Sequence, residues 1–276
     1  MNMSHNFKHL IRLFLFGILF CSCSTPKTVH VDNELPLNSL LDKIVSDGVL
    51  RVGTTGDYKP FSYRKKESTA LQGMDITMAN DLANSLDVKV KFVTTSWPTL
   101  MDDLQNNKFD IAMSGISIRL NRQKFGFYSI PLVEGGKIPI CRDNDAERFK
   151  SLDSINQKKV RVIFNPGGTN EEFARSNFPK ATLIENEDNL SIFRRIVEKE
   201  ADVMVTDQIE ALIQEKIHLE LEAVHLEKPF AFFEKAYLMP RDIVWKSYVD
   251  QWLNLRKKQG VIDAVIQEEI KESISQ

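Results

Sequence analysis

The run Thr169-Asn-Glu-Glu172, directly after Gly167-Gly168, places two adjacent carboxylates at what reads as the start of a helix. Thr169 and Glu172 have the spacing of a capping box, in which the threonine bonds the first turn and the glutamate reaches back to the cap N–H. That gives Glu172 a structural task and leaves Glu171 spare, beside glycines that let backbone approach a ligand closely. A helix N-terminus lowers the pKa of such a carboxylate, whereas burial beside an anionic ligand raises it and makes it a proton donor. Arg122 offers a planar fork that matches a carboxylate bidentately, although an isolated arginine is most often a surface charge. Asp207 follows the apolar strand Val203–Thr206 and precedes a helical stretch, so it suits an N-cap and still has a second oxygen to use. Tyr58, Phe61 and Trp97 are aromatics that can wall a ring-shaped ligand or sit in a core.

These side chains need a frame. Val49–Thr54 reads as a strand, and Asp75–Leu86 as a helix with Ile76, Ala79, Leu82, Ala83 and Leu86 on one face. Val88, Val90 and Phe92 alternate with lysines as in a half-buried strand. A short helix capped by Ser96 or Thr99 runs through Leu104, and Phe109–Met113 is a further apolar strand. After Pro131 the rhythm restarts: strand Val160–Phe164, helix from Glu171, strand Ala181–Ile184, helix Asn189–Lys199, strand Val203–Thr206 and helix from Gln208. Trp245–Ile270 is helical with a break around Gly260. Alternating strands and helices build parallel sheets covered by helices, and two such passages predict two α/β lobes. Ligands in such folds bind at the carboxyl ends of the strands, here in the cleft between lobes.

With 36 Lys+Arg and 38 Asp+Glu among 276 residues, the net charge is 36 − 38 = −2, and no long basic run argues for nucleic acid. Three cysteines exclude a disulfide scaffold, and five scattered histidines suggest no metal cluster. No CxxC, HExxH or P-loop string occurs. The first twelve residues carry Lys8 and Arg12 without an acid, and Leu13–Phe20 is apolar, the layout of a secretory signal. Ser22-Cys23 then resembles a lipoprotein cleavage site with Cys23 as the lipidated residue, which implies a periplasmic protein with possible attachment to the membrane.

Thr55-Gly-Asp-Tyr-Lys-Pro-Phe-Ser-Tyr63, Gly73-Met-Asp75, Ser114-Gly-Ile-Ser-Ile118 with Arg122, and Thr206-Asp207 together resemble the family 3 periplasmic solute-binding proteins. The resemblance implies the type II periplasmic binding protein fold, two α/β lobes with a ligand cleft between them. It divides the chain into a signal at 1–22, a tether at 23–39, lobe 1 at 40–131 plus 233–276, and lobe 2 at 132–232. Asn165-Pro-Gly-Gly-Thr-Asn-Glu-Glu-Phe173, Thr95-Ser-Trp-Pro98 and Glu234-Lys-Ala-Tyr-Leu-Met-Pro-Arg241 resemble the cyclohexadienyl dehydratase branch of that family. That branch implies a carbon–oxygen lyase acting on the small molecules prephenate and L-arogenate without a cofactor. By resemblance, Arg122 holds the ligand carboxylate with Ser117 and Thr169 as donors, and Asp207 sits where relatives hold an α-amino group. Glu171 becomes the general acid, and Tyr58 and Trp97 wall the ring. Two substrate carboxylates call for a second cation, for which Lys59 and Lys137 are candidates, each otherwise a solvated surface charge. The competing expectation is an amino-acid-binding receptor of an ABC importer, which shares Arg122 and Asp207 but has no need of Glu171.

Overall fold

The computed structural model describes residues 39–64 and 69–274. The expected signal, Cys23 and the tether up to its last residue lie outside them. Ser39 is the N-cap of helix Leu40–Asp47: it accepts from the Asp42 N–H, and Asp42 bonds back to the cap. The first sheet runs 89–94, 49–54, 111–112, 238–239, 127–128 in spatial order. Its first three strands are parallel, and Leu238–Met239 pairs antiparallel to both neighbours. The second sheet runs 182–185, 161–164, 203–207, 133–142, 221–223. A three-stranded antiparallel meander, 57–58, 62–64 and 71–72, follows the first strand.

The β-rich strand Val49–Thr54 is central because Leu50 and Val52 are fully buried between helices. The chain returns to this core at its end: Trp245, Val249 and Leu253 of helix Ile243–Lys258 pack with Ile44, Leu50, Val52, Met78 and Leu82. Asp242 joins the two ends of the fold, one oxygen accepting from Trp245 N–H at 2.8 Å and the other from Leu40 N–H at 2.7 Å. Gly260, in left-handed backbone at φ 72°, ends that helix, and helix Val261–Ile274 follows. The second sheet has apolar clusters of its own, around Phe149, Val162 and Phe178 and around Ile140, Phe193 and Met204.

Two segments depart from the periodicity. Of Phe109–Met113 only Ile111–Ala112 forms a strand, because Asp110 turns aside to bind Arg51 at 2.5 Å. Asn189–Lys199 splits into a 3-10 turn, 189–191, and helix Ile192–Val197. The ten-residue strand Val133–Arg142 was hidden by Gly135, Gly136 and Pro139. It pairs first with Phe232–Lys235 and then with Val203–Asp207, so the two crossing segments between the sheets are zipped together.

Candidate functional site

The carboxyl ends of strands from both sheets converge on one pocket, lined by Tyr58, Trp97, Ser117, Arg122, Thr169 and Asp207 together with Asn165, Asn170, Asn189 and Lys235. Six of the residues singled out from sequence are thus brought together. Buried Asp75 shapes the loop that carries Ser117: its Oδ2 accepts the Gly115 N–H at 2.6 Å and its Oδ1 the Tyr237 hydroxyl at 3.2 Å. Burial pushes the Asp75 carboxyl up to about 7, against these two donors. Gly115 takes φ 63°, with the Phe61 and Tyr58 rings where a side chain would stand. Tyr58 meets Trp97 edge to face at 5.8 Å and Phe61 at 5.0 Å. Phe61 is fully buried behind Tyr58, so of the three aromatics it belongs to the core rather than the wall.

Asp207 stands at the N-terminus of helix Gln208–Ile217, yet its side chain makes no cap bond. Asp207 holds the expected N-cap position but not the capping bond: the carboxylate is drawn instead to two buried lysines. Lys235 Nζ lies 2.5 Å from Oδ2 and Lys137 Nζ 2.9 Å from Oδ1, and the Tyr58 hydroxyl donates to Oδ2. Burial alone would raise the Asp207 pKa, but the two ammonium groups outweigh it and hold the carboxyl far below its usual range. Lys137 is fully buried, and burial pulls its pKa down while Asp207 opposes that. Lys137 also donates to Asn170 Oδ1, and Lys235 donates to Ser117 Oγ at 2.9 Å. Of the two candidate lysines, Lys137 is the one that pairs with Asp207, and it lies behind that carboxylate without lining the pocket itself. Lys59 lies over the Tyr63 ring at 4.8 Å and does not line the pocket. Arg122 lines the pocket and has no carboxylate within ion-pair distance among the described residues.

The capping box at Thr169–Glu172 does not form. Helix Thr169–Asn177 has Gly168 as N-cap without a side-chain bond, and Thr169 is its first residue. Glu172 points away and pairs with Arg119. Glu171, expected to be spare, is the one occupied: it accepts the Gly167 N–H at 2.7 Å and pairs with Arg175 at 2.7 Å. Partial burial pushes its pKa up, but these donors prevail and leave it below the ordinary glutamate value. Glu171 lines a neighbouring opening with Arg119, Arg122 and Arg175, not the pocket of Asp207.

A further buried carboxyl beside the site is Glu210, which sequence reasoning missed. It is 1% exposed, its Oε2 accepts from the Thr206 hydroxyl and its Oε1 from Asn189 Nδ2 at 3.3 Å. Burial, reinforced by the Asp207 charge, pushes its carboxyl up to about 8. Asp207-Gln-Ile-Glu210 repeats the spacing read at Thr169–Glu172 and was the available signal. Lys235 was equally overlooked, although it lies within the Glu234–Arg241 string.

Contact across the cleft is close at Gly167, whose φ is 78° and where an added Cβ would overlap Pro98. Gly167→Ala is expected to keep the two sides from meeting. Calorimetry should show weaker ligand binding with a Tm loss of only a few degrees; unchanged affinity would contradict this contact's role in closure.

Residues 50–272 match the bacterial extracellular solute-binding proteins, family 3. The chain belongs to this family. It is 48% identical over 260 residues, 94% of this chain and 93% of the other, to the cyclohexadienyl dehydratase of Pseudomonas aeruginosa. Among solved structures, an ancestral cyclohexadienyl dehydratase shares 50% identity at a TM-score of 0.54, covering 85% of this chain and 97% of that one. The ancestral amino-acid-binding protein described as a precursor of cyclohexadienyl dehydratase shares 34% at a TM-score of 0.77, covering 84% of this chain and all of that one. The mixed α/β architecture of two sheets is that of these binding proteins. Among the described residues no helix is long and apolar enough to cross a membrane.

Proposed function

We propose that this chain is a cyclohexadienyl dehydratase, a carbon–oxygen lyase that converts prephenate to phenylpyruvate and L-arogenate to L-phenylalanine. The observation that carries this reading is the double ion pair at Asp207. A receptor for free amino acids needs a carboxylate open to the α-ammonium group. Here that carboxylate is already neutralised from within. Arg122 and Lys235 in the pocket lining, with Lys137 behind Asp207, leave against that carboxylate a formal excess of two positive charges, three minus one, when Glu210 carries its proton. That excess matches a dicarboxylate, and it favours keto-acid prephenate over ammonium-bearing arogenate, the reverse of what Asp207 alone suggested. The relative at 48% identity over nearly all of both chains supports the same reading.

In this account Arg122 binds one substrate carboxylate, with Ser117 and Thr169 at its side, and the lysines attract the other. Tyr58 and Trp97 flank the ring. Glu171, at the adjoining opening that shares Arg122 and Gly168 with the pocket, delivers a proton to the ring hydroxyl. The C–O bond breaks and water leaves; the ring carboxylate departs as carbon dioxide, and the electron pair of its C–C bond completes the aromatic ring. Glu171 then recovers a proton from water. A bound dianion raises the pKa of this carboxyl, as general acid catalysis requires, against the donors that lower it in the free protein. The closed site also aligns the two breaking bonds while excluding bulk water.

The alternative, an amino-acid-binding receptor of an ABC importer, draws on the shared fold and on the amino-acid-binding ancestor. Titration calorimetry separates the two: phenylpyruvate should bind and free L-amino acids with cationic or neutral side chains should bind weakly, whereas the reverse order would favour the receptor. We further propose a periplasmic location with lipid attachment through Cys23. Cys23→Ala is then expected to move the protein from the membrane to the soluble fraction, and identical fractionation of both forms would exclude the anchor.

A further inference from the structure

Arg119 and Glu172 meet across the mouth of the cleft. Arg119 belongs to the first sheet's side: Ile116, three residues earlier, packs with Leu100, Ala112 and Leu238. Ile118 N–H donates to the Glu234 carbonyl at 2.9 Å and Ala236 N–H to the Ile116 carbonyl at 3.0 Å, so the segment before Arg119 is paired with one of the crossing segments. The guanidinium lies 5.7 Å from the centre of the Phe233 ring on that same segment. Glu172 belongs to the second sheet's side, on helix Thr169–Asn177, whose Phe173 and Ala174 pack with Val162 and Phe178. The ion pair thus ties together elements anchored in two separate apolar cores.

The pair borders an opening of about 320 Å³ that shares Arg122 and Gly168 with the pocket. Arg119, Arg122 and Arg175 against Glu171 and Glu172 leave one positive charge there, three minus two, which suits the entry of an anion. Arg175 and Glu171 lie on one helix, so opening the cleft leaves their pair intact. Arg119–Glu172 is the ion pair of this opening that must break. We propose that Arg119 and Glu172 are the latch of the mouth: they part to admit an anion and pair again to retain it. Both are positioning residues, acting on the ligand through closure. The latch serves any anion that enters beside Arg122, whether or not the dehydratase reading holds. A partly exposed pair gives a small bias toward closure, and salt weakens it.

The test measures release of phenylpyruvate by stopped flow at low and high salt. Glu172→Gln and Arg119→Gln should each raise the dissociation rate about two- to fivefold at low salt, the range of an exposed ion pair. For Glu172→Gln this runs against simple electrostatics, since removing a negative charge beside an anion would by itself slow release. The charge-swapped double variant Arg119→Glu/Glu172→Arg should return the rate to within about twofold of wild type, and high salt should bring wild type toward the single variants. Slower or unchanged release from Glu172→Gln, or a swap that recovers nothing, would overturn the latch. Failure of wild type to bind phenylpyruvate would count against the dehydratase reading alone. X-ray scattering of the free proteins then decides the latch: both single variants should be more open than wild type and the swap, and equal scattering from all four would overturn it.

Discussion

Glu171→Gln is expected to lower prephenate turnover by about 10²–10⁴-fold, the usual range for removing a general acid, while the fold survives. The amide keeps the shape of the side chain but delivers no carboxylic proton. The sign of the pH dependence follows from the same group. Its protonated form is the active one, so turnover should fall as pH rises through its pKa in the enzyme–substrate complex. Partial burial raises that carboxyl, Gly167 and Arg175 hold it below the ordinary glutamate value in the free protein, and a bound dianion moves the limb upward. Glu210→Gln should cost far less, because Glu210 is buried without lining the pocket and the amide keeps the shape that Thr206 and Asn189 hold. Rates of phenylpyruvate formation by the two variants decide the matter: a crippled Glu210→Gln beside an active Glu171→Gln would give the acid's role to Glu210.

The second large effect is on stability. Asp207→Ala leaves Lys137 and Lys235 buried with no counter-charge, which costs about 3–5 kcal/mol when one partner of a buried pair is removed. For a domain of this size each kcal/mol moves Tm by roughly 2–4 °C, so thermal denaturation should show a fall of about 6–20 °C. A carboxylate waiting in an open cleft for a substrate's ammonium group would instead be removed at little cost. An unchanged Tm would therefore show that Asp207 is a ligand receptor, as in the amino-acid-binding reading.

Much of this frame was legible in the sequence because it rests on local periodicity. Strand Val49–Thr54, helix Met74–Ser85 and strand Arg161–Phe164 sit within a residue or so of where their patterns place them. The pocket's lining was legible too, since Ser117, Arg122 and Thr169 lie in the segments that follow strands, Arg122 in the short helix Leu120–Gln123 and Thr169 at the start of helix Thr169–Asn177. What escaped was charge pairing over long sequence distance. Lys137, Asp207 and Lys235 come from three strands, and only the antiparallel pairing of Val133–Arg142 with both Val203–Asp207 and Phe232–Lys235 brings them together. That strand was itself concealed by two glycines and a proline. At Thr169–Glu172 the spacing was sound and the conclusion was not. Arg119 and Arg175 compete for the two carboxylates, and an ion pair displaced the local cap. The burial of Glu210 was missed because a charged residue on a helix's first turn does not advertise it.

The most direct measurement is incubation of the purified mature protein with prephenate at neutral pH, following phenylpyruvate and carbon dioxide, with Glu171→Gln as the blank. Many equivalents of phenylpyruvate per protein, matched by carbon dioxide, formed without added cofactor and at a rate far above the blank, are the result expected of a dehydratase. Prephenate recovered unchanged, with wild type no faster than Glu171→Gln, would contradict it and leave a binding protein.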